Sequence, residues 1–474
     1  MRHTSLLRQA TATMIPHTLN IECIPYQSDS HQLFDVIHQQ PNAVFLDSGH
    51  YPSEGRCCDI ISAFPSTTYV YRDGLLTVND QTMPANASQV IQQLQDEIDR
   101  FTSVDADRYD YLPFIGGLIF QSSYEFGLAL ADIATNPSPD HLAAFTGGVY
   151  HWAVINDHIA QKTYLVSQGQ QGYEKLQRYK ALYFSPSDAA SPDVAAFKLQ
   201  TRFAATTTKA QYADAFDKIK HYIVAGDCYQ VNYTQHFSAD YQGSSWQAYQ
   251  ALTKVLPSPF SVYFNTGQHQ VLSISPERFI EVRGSHIQTK PIKGTRPRGK
   301  TPAEDMALAQ ELKTSSKDRA ENLMIVDLLR NDLSMSARCG TVKVPALFAL
   351  ESFANVHHLV STIQAELDDD ANQLSLLTKA LPGGSITGAP KKRAMEIITE
   401  LETVGRSAYC GTIAYISSHG QTDSNIAIRT VVADGQKMHC WGGGGIVMDS
   451  ICDDEYQESI TKVSLIMETL ESLL

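Results

Sequence analysis

The sequence predicts an α+β protein with a large mixed or antiparallel sheet. Two observations lead to this fold class: strand-like segments recur between about residues 228 and 448, and long amphipathic helices lie between them. No repeat of fixed period is present, which argues against a solenoid or a propeller. The densest apolar runs have the length of core strands, well below the roughly 18 residues that a membrane span needs, so we expect no membrane association.

Composition narrows the class of protein further. The 474 residues include 37 Lys plus Arg and 51 Asp plus Glu, which gives a net charge of −14. This balance disfavours nonspecific nucleic-acid binding, because such binding depends on Lys and Arg contacts to phosphates. Eight cysteines without a C-x-x-C spacing predict reduced thiols and a cytoplasmic location. Residues 1–13 are basic and lack the apolar segment of a secretory signal, and we expect Met14 to be the true first residue.

A change in composition marks a domain boundary. Residues 184–208 are rich in Ser, Pro, Ala and Thr, and they show neither helical nor strand periodicity for long. We therefore divide the chain into a first region, residues 15–185, and a second region, residues 209–470.

The second region opens with a helix and a strand. Thr208 can cap the helix at its start, and Gly226 suits a left-handed cap at its end. In the strand that follows, from Cys228 to Phe237, one face is polar and consists of Gln230, Asn232, Thr234 and His236. Further strands are predicted at 261–264 and 271–283, and Arg283-Gly284-Ser285 predicts a hairpin turn that returns along 286–293.

Helices and a glycine-rich loop come next. Thr301 and Glu304 form a capping-box pattern, and a second helix begins near Ser316. The loop at 383–388 runs into a helix after Pro390, but Ala389 stands where a phosphate-binding loop requires Lys, so an NTPase is excluded. Strands at about 409–417, 425–433 and 438–448 precede a last helix from about Asp454.

Lys293 is the first candidate for chemistry. It lies in a cluster of four cations between Pro291 and Lys300, which taken alone is typical of a solvated loop. Lys293 differs because it ends a strand and precedes Gly294, where the sheet holds the side chain and the loop leaves space for a ligand. A buried Lys can lose its proton and act as a nucleophile.

Glu277 is the candidate partner of Lys293. A two-residue turn at 284–285 would put the two side chains on opposite faces of a hairpin. A three-residue loop at 284–286 would instead place them directly across from each other, with Cβ atoms about 5 Å apart. An acid and an amine in one pocket could protonate a leaving group and attack carbon, although a structural salt bridge would have the same pattern.

Carboxylates on two helices predict a magnesium site. Glu455, Glu458 and Lys462 share one face of the last helix, where acidic residues in the first turn also fit compensation of the helix dipole. Glu321 lies on a separate helix among apolar neighbours. Such oxygen ligands suit Mg²⁺. Residues 442–445 are four consecutive glycines in a strand-like run, which indicates close approach of a ligand or another backbone, or else a bulge.

Eight ordered segments of the second region resemble the chorismate-utilising enzyme family, and the first region resembles it more weakly. The segments are GDCYQVNYTQ, ISPERF, PIKGTRPRG, KDRAENLMIVDLLRNDL, VHHLVS, GSITGAPKKRAMEII, IAIRT and GGGGIVMDS with DDEYQES. The family includes anthranilate synthase component I, aminodeoxychorismate synthase component I and the isochorismate and salicylate synthases. The resemblance implies large, mostly antiparallel sheets in a sandwich-like core with helices outside.

Lys293 in PIKGT is similar to the aminodeoxychorismate synthase component I subfamily, whereas anthranilate synthases read PIAGT. The resemblance implies that Lys293 attacks carbon 2 of chorismate while Glu277 helps the hydroxyl on carbon 4 to leave. Ammonia then adds at carbon 4 and yields 4-amino-4-deoxychorismate, for p-aminobenzoate and folate synthesis. Gln230 stands where the water-adding relatives carry a general-base Lys, and a neutral amide cannot activate water.

The resemblance also implies roles for the other pocket residues. It assigns Glu321 and Glu458 as ligands of Mg²⁺, and Asp318 and Glu455 as residues that support these ligands without binding the metal directly. It assigns Tyr415 and Arg429 to the enolpyruvyl carboxylate. The remaining substrate-binding positions are His358, Ser385, Gly443, Gly444 and Lys462.

A second ligand site is implied by two short segments. Residues 45–49 (FLDSG) and 257–261 (PSPFS) are similar to the segments that form a tryptophan site in the family, which points to Ser48, Pro259, Phe260 and Ser261. That site is inhibitory in anthranilate synthases and holds tryptophan structurally in some aminodeoxychorismate synthases.

Ammonia must come from elsewhere, because the chain contains no G-x-C-x-G nucleophile elbow of a glutaminase. We expect a partner glutaminase subunit, component II, or ammonia from solution. Two alternatives remain: an anthranilate synthase component I, and a non-catalytic regulatory subunit that binds tryptophan.

Overall fold

A computed structural model describes residues 19–51, 57–101, 107–184, 195–352 and 356–474. The expected start at Met14 and part of the predicted boundary at 184–208 lie outside these residues. The described strands are β1 (Leu19–Ile24), β2 (Val44–Asp47), β3 (Cys58–Ser62), β4 (Thr67–Arg72), β5 (Leu75–Val78), β6 (Gln81–Pro84), β7 (Gly117–Ser122), β8 (Phe145–Tyr150), β9 (Trp152–Asp157), β10 (Lys162–Gln168), β11 (Lys198–Leu199), β12 (Ala204–Ala205), β13 (Gln230–Gln242), β14 (Phe260–Asn265), β15 (Gln270–Ser275), β16 (Arg278–Arg283), β17 (His286–Thr289), β18 (Ile292–Pro297), β19 (Lys343–Ser352), β20 (Val356–Glu366), β21 (Gly388–Ala389), β22 (Thr412–Ser417), β23 (Thr422–Asn425), β24 (Thr430–Ala433) and β25 (Lys437–Ile446).

The helices lie between groups of these strands along the chain. They are α1 (His31–Phe34), α2 (Ala87–Ile98), α3 (Tyr124–Leu130), α4 (Gly169–Phe184), α5 (Lys209–Ala225), α6 (Ser245–Val255), α7 (Pro302–Thr314), α8 (Ser316–Ser334), α9 (Gln373–Ala380), α10 (Lys391–Leu401) and α11 (Cys452–Glu471). Within the described residues, no helix is both long enough and apolar enough to cross a membrane. All eight cysteines are described, and each is a free thiol.

The strands form two large antiparallel sheets, which confirms the predicted fold class. In the described part of the chain, the first sheet has 13 strands and runs β1-β10-β9-β3-β2-β14-β15-β24-β25-β13-β11, with β12 and β21 also paired to β13. The second has 12 strands and runs β18-β20-β17-β16-β23-β22-β7-β8-β4-β5-β6, with β19 paired to β20. Both sheets contain strands from the first region and from the second. Strands of the first region meet strands of the second where β2 pairs with β14, in the first sheet, and where β7 pairs with β22, in the second.

Apolar side chains bury both faces of the first sheet. Neighbouring residues of a strand point to opposite faces, so Val271 belongs to the core between the sheets and Leu272 to a second core. The second core also holds Trp152 and Trp246, together with apolar residues of α4, α6 and α11. The helices therefore cover the outside of the sheets, as predicted.

Local signals placed the first helix of the second region correctly. Thr208 forms a capping box with Gln211 at the start of α5, and Gly226 ends the helix with φ of 82°. The prediction of one continuous strand over 271–283 is wrong. The chain leaves the first sheet after Ser275 and enters the second sheet at Arg278, because Pro276 has no N–H to donate to a sheet ladder.

Candidate active site

A cavity of about 920 Å³ lies beside the crossover from β15 to β16. Its walls come from both sheets and from α8 and α11, so residues far apart in the sequence meet there. The predicted site residues that line it are Glu277, Lys293, Asp318, Glu321, His358, Ser385, Arg429, Gly443, Glu455, Glu458 and Lys462.

Lys293 lies where β18 departs from regular pairing. The register of β18 against β20 shifts between Ile292 and Thr295, and Gly294 between them has φ of +81°. A Cβ at Gly294 would lie 2.9 Å from the Asp318 carboxyl carbon, so only glycine fits. The Lys293 Nζ donates a hydrogen bond of 3.0 Å to the Ser385 carbonyl oxygen. Desolvation lowers the pKa of Lys293, and nearby Glu277 opposes this shift in part.

Glu277 lies in the crossover between the sheets and is 6% exposed. Burial raises its pKa, while the Lys293 ammonium and a hydrogen bond from the Ser385 side chain act in the other direction. The pKa of the acid is thus raised and the pKa of the amine is lowered. Both shifts favour the uncharged forms, which are the forms able to donate a proton and to attack carbon.

Glu277 and Lys293 both reach the cavity, but the three-residue hairpin loop considered above is not what brings them together. Arg283 pairs with His286, so the turn has two residues, and this register alone would separate Glu277 from Lys293. They converge because neither belongs to that hairpin ladder: Glu277 precedes β16, and Lys293 lies in β18, which pairs with β20.

The loop after Pro382 contacts both Lys293 and Glu277 through Ser385. Gly384–Ile386 forms a short 3₁₀ turn that presents Ser385 to the cavity. The Ile386 carbonyl oxygen accepts 2.8 Å from the Asn232 amide and 2.9 Å from Arg406. Because two buried hydrogen bonds hold the residue that follows Ser385, the turn has a fixed position beside Lys293.

Arg429 also lines the cavity and is a cation that can bind an anionic group. Arg429 has φ of 51°, and desolvation lowers its pKa. In the described part of the chain no carboxylate lies within ion-pair distance of its guanidinium. His358 accompanies it; burial lowers the pKa of His358 to about 4, with Arg429 as a further cause, so the imidazole is neutral at physiological pH. A partly buried cation without a protein counter-charge is a binding site for a ligand carboxylate.

The assignment of Tyr415 to this end of the cavity is wrong. Among the described residues, the tyrosine that lines the cavity is Tyr409, and Tyr415 lines a second, smaller cavity. Tyr409 lies in the turn before β22, whereas Tyr415 is well inside that strand. The Tyr409 ring stacks on Trp441, with ring centroids 6.3 Å apart. The sequence reasoning missed both aromatic residues, although Trp441 directly precedes the four glycines.

Acidic side chains lie at the mouth of the cavity, and the positive charges of Lys462 and Lys317 partly balance them. Glu458 is half-exposed and pairs with Lys462 at 2.8 Å, and Lys462 also donates 2.9 Å to the Gly443 carbonyl oxygen. Burial acts to raise the pKa of Glu458, but the charges of Lys462 and Lys317 keep it below its usual value. The pKa of Glu321 is raised, first by burial and further by Glu458 and Asp318.

These acidic side chains fit a magnesium ion that keeps ligands from outside the protein. Asp318 is paired with Arg296 at 3.2 Å, and Glu455 accepts 2.7 Å from the Ser450 hydroxyl. Glu321 has no ion pair among the described residues, and Glu458 has a half-exposed one with Lys462, so these two are the candidates for a cation. No three His, Cys, Asp or Glu side chains in the described ranges form a ligand cluster. Mg²⁺ usually binds to one or two carboxylates and takes its other ligands from water and substrate, so two suffice.

The four glycines form regular strand and no bulge. Gly442 to Gly445 pair in unbroken register with β13. A Cβ at Gly442 would lie 2.1 Å from the Ser459 carbonyl oxygen of α11. At Gly444 it would lie 3.1 Å from Glu455 and 3.3 Å from Glu458. The glycines thus let α11 approach the sheet and bring its carboxylates to the cavity.

A second cavity of about 110 Å³ contains the other predicted ligand residues. Ser48, Pro259, Phe260 and Ser261 all line it. Ser48 is fixed by the buried Asp59, which accepts 2.6 Å from its hydroxyl and 2.8 Å from its backbone N–H. The volume is below the roughly 300 Å³ at which ligand pockets usually begin.

Comparison with known proteins identifies the family of this chain. Residues 52–468 match the family of chorismate binding enzymes. The chain belongs to this family. Among the chorismate binding enzymes, aminodeoxychorismate synthase component 1 of Klebsiella aerogenes is 40% identical over 452 residues, covering 95% of this chain and 98% of the relative. Anthranilate synthase component 1 of Geobacillus stearothermophilus is 35% identical over 384 residues, covering 76% of this chain and 75% of the relative.

A solved structure of the family shares the fold. Anthranilate synthase component I from Streptococcus pneumoniae TIGR4 superposes with a TM-score of 0.76 at 27% identity, covering 88% of this chain and 93% of that one. The identification of the family from the eight segments is therefore confirmed.

Proposed function

We propose that this chorismate binding enzyme converts chorismate and ammonia to 4-amino-4-deoxychorismate through a covalent adduct on Lys293. The observation that carries the proposal is the meeting of Lys293 and Glu277 inside the cavity, with opposite pKa shifts that favour a neutral amine and a neutral acid. The similarity to aminodeoxychorismate synthase component 1 over 95% of the chain supports the choice of reaction.

The two residues exchange protons through the reaction. The neutral Lys293 amine attacks carbon 2, the ring double bond shifts, and the bond between carbon 4 and its hydroxyl breaks as Glu277 delivers a proton, which releases water. The Glu277 carboxylate then takes the extra proton from the Lys293 nitrogen. Ammonia attacks carbon 4, the ring double bond shifts back, and the bond from carbon 2 to Lys293 breaks as Glu277 returns its proton to the Lys293 nitrogen. The new ammonium group on carbon 4 then gives its extra proton to the Glu277 carboxylate. Chorismate and ammonia thus give aminodeoxychorismate and water.

The rest of the cavity binds and orients the substrate. Arg429 can hold the enolpyruvyl carboxylate, with Tyr409 in place of Tyr415 beside it. We assign further substrate contacts to His358, Ser385, Gly443, Gly444 and Lys462. Glu321 and Glu458 would hold Mg²⁺, supported by Asp318 and Glu455, and the metal when bound would neutralise the ring carboxylate.

Ammonia supply and the second cavity complete the proposal. The relatives are named component 1, and we propose a glutaminase subunit as the partner that delivers ammonia. Ser48, Pro259, Phe260 and Ser261 would contact tryptophan in the second cavity, which must widen to admit it. Residues 15–185 would form the N-terminal region, which contributes Ser48 to this site, and residues 209–470 the catalytic region, which contributes the other three residues.

One assay tests the proposed reaction. The purified chain is incubated with chorismate, Mg²⁺ and an ammonium salt, and the product is identified by mass spectrometry. Aminodeoxychorismate supports the proposal, and anthranilate with released pyruvate would identify an anthranilate synthase instead. Tryptophan binding without any turnover of chorismate would indicate a regulatory subunit.

A further inference from the structure

Two short segments form the wall between the two cavities. The first contains Glu277, which lines the large cavity, and Arg278, which lines the small one. The second runs from Asn425 at the small cavity to Arg429 at the large one. Arg278 and Asn425 are register partners of β16 and β23. Each segment thus connects a residue of the small cavity, Arg278 or Asn425, to a proposed active-site residue of the large cavity, Glu277 or Arg429.

Backbone hydrogen bonds tie the two segments at the level of Glu277. The Ile426 N–H donates 3.1 Å to the Glu277 carbonyl oxygen. The Ser275 hydroxyl donates 2.6 Å to the Ile426 carbonyl oxygen and accepts 3.2 Å from the Glu277 N–H. The backbone that carries the acid therefore moves together with this wall.

Arg278 anchors the wall on the side of the small cavity. It is 4% exposed, and its guanidinium makes two parallel contacts to Asp423, at 3.1 and 3.0 Å. It also contacts Glu281 at 3.3 Å and lies over the Phe260 ring at 5.0 Å. A buried guanidinium held in this way fixes its own backbone, and the next residue toward the N-terminus is Glu277.

We propose that Arg278 is a positioning residue for Glu277, and that its contacts to Asp423 and Glu281 hold the acid beside Lys293. Arg278 lines the small cavity and acts through the peptide that it shares with Glu277. The inference rests on the proposed role of Glu277. A displacement of about 1 Å at a reacting group can reduce a rate about 10²-fold, so an anchor at the adjacent residue matters for turnover.

Substitutions on this anchor test the inference. In Arg278→Met, kcat for chorismate consumption should fall about 10- to 100-fold while KM changes less than about twofold. Asp423→Asn keeps the shape of the anchor and should show a smaller loss of the same kind, and Arg278→Lys should recover part of the activity. Arg283→Met is the matched control, because Arg283 lines the same cavity and pairs with Glu281 at 2.6 Å but lies at the far end of β16.

The pH profile separates positioning from a general loss of stability. Glu277 faces Lys293 and Lys462, and Lys293 also senses Glu321 and Glu458. A displaced, better-solvated Glu277 has a lower pKa, and Lys293 also has a lower pKa because it loses the nearby Glu277 charge that raises it. Both limbs of the pH profile of kcat in Arg278→Met should therefore shift to lower pH, which partial unfolding would not cause.

Two results would overturn the inference. One is wild-type kcat and pH profile in Arg278→Met. The other is an equal loss of kcat and of melting temperature in Arg278→Met and Arg283→Met, with unchanged pH limbs in both. Chorismate consumption is measured whatever product forms, so a wild-type product other than aminodeoxychorismate would reject the proposed function without deciding the role of Arg278.

Discussion

The role proposed for Lys293 is one that an uncharged or permanently charged side chain cannot take. Lys293→Met removes the nucleophile and Lys293→Arg replaces it with a group that stays protonated, so both should lower turnover at least about 10³-fold. Lys300→Met is the matched control, because Lys300 belongs to the same basic segment and is exposed. Intact-mass spectrometry during turnover should detect the adduct in the wild type and in Lys300→Met. Normal aminodeoxychorismate formation by Lys293→Met would refute the nucleophile.

Because the proposed reaction passes one proton between Glu277 and Lys293, kcat should have a bell-shaped pH profile. The productive pair holds one proton, so activity falls at low pH when a second proton binds and at high pH when the last one leaves. Burial raises the pKa of Glu277 and lowers the pKa of Lys293. The acid limb should thus lie above the usual pKa of Glu and the alkaline limb below that of Lys. Stopped assays of kcat across pH measure both limbs, and limbs at the ordinary values would contradict a buried pair.

Glu458 provides a separate test of the magnesium site. Glu458→Gln removes the charge and keeps the shape, so Mg²⁺ affinity should fall about 10- to 100-fold, as measured by calorimetry without substrate. Glu468→Gln on the exposed face of α11 is the control and should bind Mg²⁺ as the wild type does. Equal affinities in the two variants would indicate that Glu458 serves only the helix dipole and Lys462.

At the scale of elements, local chemistry predicted more than long-range geometry did. The capped helix α5 could be predicted because Thr208 and Gly226 act within one turn of its ends. Pro276 is visible in the sequence, but the assignment of β15 and β16 to different sheets is not, because it depends on partners more than 100 residues away, such as β24 and β23. Tyr409 was missed for a similar reason, since only the folded sheet separates its cavity from that of Tyr415.

The packing of α11 on β25 makes a prediction about stability. In Gly442→Ala the new methyl group would lie 2.1 Å from the Ser459 carbonyl oxygen, so helix and sheet must separate. We expect a loss of about 1–3 kcal/mol of unfolding free energy, with weaker Mg²⁺ binding because Glu458 moves with α11. Lys437→Ala at the exposed start of β25 removes an ion pair to Asp240 and should change stability by less than about 1 kcal/mol. Denaturant unfolding measures both, and a neutral Gly442→Ala would show that the helix has room to move.

On the scale of the whole molecule, the two sequence regions share their sheets. Ser261 pairs with Asp47 at one junction, and Thr412 pairs with Ser122 at the other. Separating the regions would leave backbone groups of β2, β7, β14 and β22 without partners in the interior of both sheets, which is unfavourable. The boundary at 184–208 therefore divides the sequence more clearly than it divides the hydrogen-bonded structure.

This sharing predicts that the two regions unfold together. Trp152 lies in β9 of the first region, Trp441 lies in β25 of the second, and both are at most 1% exposed. The chain contains three tryptophans, so two double Trp→Phe variants leave either Trp152 or Trp441 as the single fluorophore. Because β2–β14 and β7–β22 must break in both cases, the two fluorescence midpoints in denaturant should coincide, and circular dichroism should give the same midpoint. Chorismate consumption by the variant that keeps Trp441 serves as the control for a native fold. Two well-separated midpoints would mean that each region has a core sufficient to stay folded after the shared strands part.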